Sequence, residues 1–381
     1  MATRPSITVK YKNPSSGSPT TVTAPIQRVS WNSGRANITD DWQAGVANIY
    51  GREPDTLFGS GATSGPVIGD VVQIAVSDGV GQTAYFYGAV ADARILYGLT
   101  TAYDTWELRI EGRYASLGRN VATIGTSAGA STGDMAQSIQ TEQTNTQVYV
   151  SSGWGSTTSA QTITGQLSNA VNDLMATEQG VVREYGALIS GGPNYDAYAG
   201  LFGRNSTEIL QLGSNVLSDT SATVYGVTPH KYEQIEFLSA AQNYSTKIVV
   251  NADGFAAQSS GTGQYVQSIE TINGSASEAA NVAGYVKTQL DLNGKVPYSV
   301  RFTGANNAVA CVSLADQAQV KDAAVVVFRG TQYDVVIEGL QFDATAEDWE
   351  CVWSLSSSTA NAFLRLDDTV YGRLDYNKLG F

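Results

Sequence analysis

Histidine is nearly missing from this chain of 381 residues: His230 is the only one, and cysteine occurs twice, at Cys311 and Cys351. Zinc coordination and Cys–His catalysis therefore have too few ligands, and the cysteines show no CxxC spacing. Both read as small apolar residues, with a mutual disulfide as the alternative. Charge is scarce as well, at 15% of residues, and the 22 basic side chains against 35 acidic ones leave a net charge of −13. No basic stripe exists to release counterions from a phosphate backbone, which excludes tight DNA or RNA binding. An acidic surface serves solubility, and it also lets DNA pass without sticking.

No segment approaches the roughly eighteen consecutive apolar residues of a membrane helix, and the N-terminus lacks the apolar core of a signal peptide. The expectation is a chain neither targeted nor membrane-spanning. P-loop, HExxH, GxSxG and dinucleotide fingerprints are absent too. We therefore expect no catalytic, cofactor-binding or metal-binding residues.

What is present is glycine (39 residues), tyrosine (20), and many Ser, Thr and Val, within a 42% hydrophobic chain. That composition favours short strands and tight turns, and the length exceeds what one core sustains. The fold class is mainly β with a few helices. Strand alternation marks Ile7 to Tyr11, Val29 to Trp31, Val46 to Tyr50, Val71 to Val76, Tyr85 to Val90 and Trp106 to Ile110. Residues 125 to 161 read as a Gly/Ser-rich loop with one weak helix near Asp134 to Gln140. A helix is predicted over 164 to 179, capped by Thr164 and stopped by an αL Gly180. The stretch behind it reads as a hairpin. Strands return between Tyr225 and Asn251, with Ile235, Phe237, Ile248 and Val250 inward. A capping box, Ser275-x-x-Glu278, opens a helix to Leu290, ended by Asn293-Gly294. Strands at Ala323 to Phe328, Tyr333 to Leu340 and Glu350 to Leu355 follow. The expected domains are 1–124, β-barrel-like; 125–220, linker plus helix-hairpin insert; and 221–381, a second β domain with one helix and a C-terminal docking tail.

Candidate chemistry is thin. A lone His230 after Pro229 lacks the partners of a triad. The acidic doublets Asp40-Asp41, Glu347-Asp348 and Asp367-Asp368 raise glycoside hydrolysis, but strand neighbours point to opposite faces and turn carboxylates accept backbone N–H bonds instead. Aromatics cluster at Tyr85, Tyr87, Tyr97, Tyr103 and Trp106, and at Tyr195, Tyr198 and Phe202; sugar stacking and core packing both use such rings. The Gly191-Gly192-Pro193 loop is the expected exposed patch. Sequons at Asn37, Asn205, Asn243 and Asn273 read as chance matches.

The end of the chain, FLRLDDTVYGRLDYNKLGF, is patterned where most chains are bland. Together with Trp349 and Leu355-Ser356 it resembles the W…LS…LDD…(F/Y)G.LD..(R/K)LGF ending of minor tail proteins of long-tailed actinobacterial phages. Gly34-Arg35, Asp41, Ala44-Gly45 and Gly51-Arg52 resemble the opening of phage tail hub proteins. Pro66, Gly69, Asp70 and Val72, then Phe86 to Asp92, Thr177 to Gly180 and Ile337-Glu338-Gly339, continue the match in order. This resemblance implies tail-tube-like β-barrels with a smaller inserted domain and a non-enzymatic virion protein of the tail tip, with no cofactor. It further implies a homotrimer ring contacting the distal tail protein, the tape-measure protein and other minor tail or receptor-binding proteins, with DNA passing through the lumen. The alternatives are a tail-associated carbohydrate-binding or cell-wall-hydrolysing protein, and an unrelated β-sandwich module.

Overall fold

The computed structural model describes residues 5–13, 18–59, 65–77, 83–143, 147–186, 197–204, 215–224, 226–238, 247–263, 265–304 and 320–358. Cys311, Tyr195, the Gly191-Gly192-Pro193 loop, the sequons at Asn205 and Asn243, and the patterned C-terminus with Asp367-Asp368 lie outside them.

The first third forms β1 (Ser6–Lys12), β2 (Thr20–Thr21), β3 (Ile26–Gly34), β4 (Gln43–Arg52), helix α1 (Pro54–Phe58), β5 (Val71–Ser77), β6 (Thr83–Leu96) and β7 (Thr105–Glu111). Alternation drives these strands: Val72, Ile74 and Val76 of β5 are fully buried, as are Leu108 and Ile110 of β7, while their neighbours turn outward. They pair antiparallel in the order β3-β4-β7-β6-β5-β1-β2.

The middle holds α2 (Tyr114–Leu117), β8 (Val121–Thr126), α3 (Thr132–Glu142), β9 (Gln147–Val150), β10 (Gln161–Gln166), α4 (Leu167–Glu178), β11 (Val181–Gly186) and β12 (Ala197–Phe202). The predicted loop over 125 to 161 is thus largely structured. Helix α3 is longer than expected because Ser131 and Asp134 form a full capping box, while Met135, Ala136 and Ile139 bury one face. Helix α4 starts later than predicted. Thr164 does not cap it but pairs with Thr123 in the β10–β8 ladder, which runs on to Gln166. The αL stop is Gln179, at φ 54°, not Gly180.

The last third supplies β13 (Val216–Ser218), β14 (Gln234–Glu236), β15 (Lys247–Asn251), β16 (Gln258–Ser260), β17 (Val266–Glu270), α5 (Ala276–Asn293), β18 (Ser299–Thr303), β19 (Ala323–Phe328), β20 (Thr331–Thr345) and β21 (Trp349–Ser357). Strands β16-β15-β17 make a small sheet on which α5 lies, Ile248 and Val250 meeting Val282, Ala283 and Val286. Phe237 is not inward as expected. It follows the end of β14, where it stands 44% exposed with its ring against Phe328 and Tyr333.

Terminal thirds meet in one sheet. Strand β20 pairs antiparallel with β3 on one side and β21 on the other, giving the order β14-β18-β21-β20-β3-β4-β7-β6-β5-β1-β2 with β19 and β13 added alongside β20. One hydrophobic cluster spans both ends, centred on Trp31 of β3 stacked on Phe342 of β20 with ring centroids 4.2 Å apart. The fold is mainly β, with large antiparallel sheets and a few helices.

Candidate functional site

The acidic doublets within the described residues sit in turns. Asp40 Oδ2 accepts from the Asn37 N–H at 2.9 Å, and Asp348 Oδ1 accepts from the Trp349 N–H at 2.8 Å in the β20–β21 turn. These are the backbone bonds that turn carboxylates favour. His230 lends its backbone to β13, donating to Val216 O and accepting from Ser218 N, and burial lowers its imidazole pKa. The aromatics divide. Trp106 is core, 1% exposed, with its indole N–H donating to Arg52 O; Phe202 is buried; Tyr97 and Tyr103 stand exposed on the β6–β7 hairpin; Tyr85 and Tyr87 stack on one another. Among the sequons, Asn273 is fully buried and so closed to modification.

The densest polar constellation lies where β3 meets β20. Glu338, with no exposure, accepts from Arg35 Nε at 3.0 Å, from Ser356 Oγ at 2.6 Å and from the Lys321 ammonium. Burial works against the Glu338 carboxylate, yet Lys321 and Arg35 outweigh it and hold it down at about 2. Burial in turn lowers the Lys321 pKa, with Glu338 pulling the other way. One position further on, Asp322 accepts from Arg183 Nη2 at 2.8 Å, tying β11 of the middle segment to the same corner, and Arg183 Nε donates to Val320 O at 2.7 Å. Arg35 also lies over the Trp42 ring, 4.5 Å from its centroid.

Backbone geometry opens room for this knot. Gly34 opposes Gly339 across the β3–β20 pair, and both strands shift register there. At φ +84°, with the Glu338 carbonyl 2.3 Å from where a Cβ would sit, Gly34 admits no side chain. Thus Gly34-Arg35 and Glu338-Gly339, far apart in sequence, are one physical unit. Sequence pattern flagged those four residues without giving them a role. It gave no sign of Lys321, Arg183 or Asp322, because nothing local marks a long-range ion pair. The group is paired throughout and largely buried, with Arg35 at its edge bordering the neighbouring cleft, and it ties the segments together.

Two clefts flank the corner. One, about 270 Å³, opens between β3, β6 and β11, with Trp31, Phe86, Tyr85 and Tyr87 on its walls and Gln43 and Glu184 among its polar groups. Glu184 reaches from β11 so that Oε2 accepts from Gly45 N at 2.7 Å and Oε1 from Tyr114 N at 2.8 Å. A Cβ on Gly112 would lie 2.0 Å from that carboxylate. The residue retains some surface, but its carboxyl is enclosed, and burial pushes it up to about 7 against the pull of the two N–H bonds. The other cleft, about 370 Å³, is acidic, with Asp40, Asp41, Asp173 and Glu270 along it. Burial first, then Asp41 and Glu270, push Asp173 up to about 6. Among the described residues no group of His, Cys, Asp and Glu side chains has the arrangement to hold a metal ion.

No protein-family model matches the sequence, and no curated protein matches it. Solved structures do match in fold. A tail protein from Neisseria meningitidis MC58 superposes with a TM-score of 0.57 at 11% identity, covering 93% of this chain and 97% of that one. The 43 kDa tail protein of prophage MuSo2 from Shewanella oneidensis does so with a TM-score of 0.57 at 13% identity, covering 93% and 98%. At such identities the likeness is one of fold, extending over nearly the whole of each chain: this chain has the fold of these two tail proteins.

Proposed function

We propose that the chain is a non-enzymatic structural protein of a phage virion, a hub or minor tail protein at the tail tip. In this reading it forms a homotrimer ring that adapts the tail tube to the tip. The ring contacts the distal tail and tape-measure proteins, anchors other minor tail or receptor-binding proteins, and lets DNA leave through its lumen. The parent particle is a long-tailed phage of actinobacteria, on the strength of the sequence pattern. Residues 1–124 and 221–381 act as the two β halves, and 125–220 as the insert between them.

The observation that carries this reading is the match in fold to two tail proteins over almost the full length of all three chains. Two features support it. The most intricately paired polar group is sealed into the seam between segments, where it fixes geometry. The described surface also keeps large apolar side chains in the open on one hairpin, Leu96, Leu99 and Tyr103 being 55%, 105% and 70% exposed, as befits a subunit that is covered by neighbours. No helix among the described residues is long and apolar enough to cross a membrane.

Native mass spectrometry of the purified protein tests the ring, and antibody labelling of intact particles tests the place. A trimeric species and label at the tail tip are expected. A monomer at every concentration, or label on the head or along the tube, would refute the assignment.

A further inference from the structure

We propose that the cleft between β3, β6 and β11 is a binding site for a neutral saccharide. The argument is independent of ring assembly and rests on the chemistry of its walls. Tyr85 and Tyr87, two apart on β6 and therefore on the same side of the strand, stack with centroids 5.8 Å apart and planes 21° from parallel. Tyr85 is 46% exposed, so its ring is offered to solvent at the mouth of the cleft. Trp31 and Phe86, 6.2 Å apart, form the apolar wall behind them. Gln43, an exposed residue, brings an amide to the same space, while Glu184 lines it with its carboxyl held inward by the Gly45 and Tyr114 N–H groups.

Ligand classes fall away one at a time. Among the described residues lining the cleft the one guanidinium, Arg183, is committed to Asp322 and to the Val320 carbonyl, so none of them offers a free cation to a phosphate or carboxylate. An acidic wall residue and a net charge of −13 add to that exclusion. A purely apolar ligand would offer the Gln43 amide no partner. A sugar suits what remains: its C–H face lies on an aromatic ring, and its hydroxyls bond the Gln43 amide.

The test uses the full-length protein and defined probes: glucose, N-acetylglucosamine, galactose and their disaccharides, scanned by saturation-transfer NMR and titrated by tryptophan fluorescence, since Trp31 lines the cleft. At least one probe is expected to bind. Tyr85→Ala should then weaken it about tenfold, the loss of one stacking ring, while the melting temperature stays put because that side chain is half exposed. Gln43→Ala, on an exposed residue, should weaken the same probe and shift its preference among epimers. The proposal is overturned if none of these probes binds at the highest soluble concentration. Binding that both variants leave unchanged also overturns it, because the sugar is then held elsewhere.

Discussion

Glu338 shows why single residues here carry unequal weight. It is fully buried and ionised, with Lys321, Arg35 and Ser356 all donating to it. Glu338→Gln keeps the volume and removes the charge, stranding two buried cations, and should cost about 3–5 kcal/mol in urea unfolding. Pairing it with Lys321→Met should recover part of that loss. A titration separates this group from the clefts. The Glu338 pKa lies below the ordinary carboxylate value, so its contribution is present above about pH 4.5 and is lost as pH falls toward about 2. Asp173 is the opposite case, with a folded pKa pushed up to about 6. The folded state favours its protonated form, and that contribution drains away as pH rises from about 4 through about 6. Asp173→Asn should therefore stabilise the protein at pH 7 by about 1–2 kcal/mol, allowing for partial exposure, and have little effect at pH 4. Thermal melts across that range check both the sign and the window.

At the scale of elements, the end of α4 makes a separable case. Gln179 adopts the left-handed conformation, and Gly180 follows with the Phe202 carbonyl 2.6 Å and the Met175 sulfur 2.9 Å from where a Cβ would sit. Gly180→Val should destabilise the protein by about 1–3 kcal/mol through crowding. Gln179→Gly, relieving the unfavourable φ, should be neutral or slightly stabilising in the same melts. Strands and the two long helices were legible in the sequence because period and caps are local signals. Ser275 does accept from the Glu278 N–H as read, but the Glu278 carboxylate leaves the capping box and accepts instead from the Thr157 N–H at 3.0 Å and the Thr157 hydroxyl at 2.8 Å. Glu178 likewise accepts from Gly155 and Ser156, both at 3.0 Å. These two acids, Glu178 lying 22 positions beyond Ser156 and Glu278 lying 121 beyond Thr157, sit on different helices and hold Gly155 to Thr157 in place. That is why a segment read as loop is ordered: its partners are distant carboxylates, which no local window contains. The same blindness hid Lys321 and the cleft, whose walls come from three strands far apart in sequence.

The whole molecule is knit by the β3–β20 ladder. Trp31 and Phe342 stack across it, and one hydrophobic cluster draws on both terminal thirds, so neither half presents a complete core alone. Phe342→Ala should then lower the stability of a single shared transition by about 3–5 kcal/mol, with hydrogen exchange accelerating in β4 and β21 alike. Two resolved transitions, or protection lost on one side only, would show halves that fold apart. Assembly draws on a different surface. The β6–β7 hairpin carries Leu96, Leu99 and Tyr103 into solvent, although Tyr97 is tied back by its hydroxyl to Asp55 at 2.9 Å. A hairpin anchored at its root and apolar at its tip spends nothing on the fold of its own chain, so its side chains are free to be buried by a neighbour. Leu99→Asp with Tyr103→Ser should accordingly leave the melting temperature of the monomer unchanged while abolishing the ring in native mass spectra, since interface energy concentrates in a few central side chains. Rings that persist in that double variant would place the subunit contact on another face.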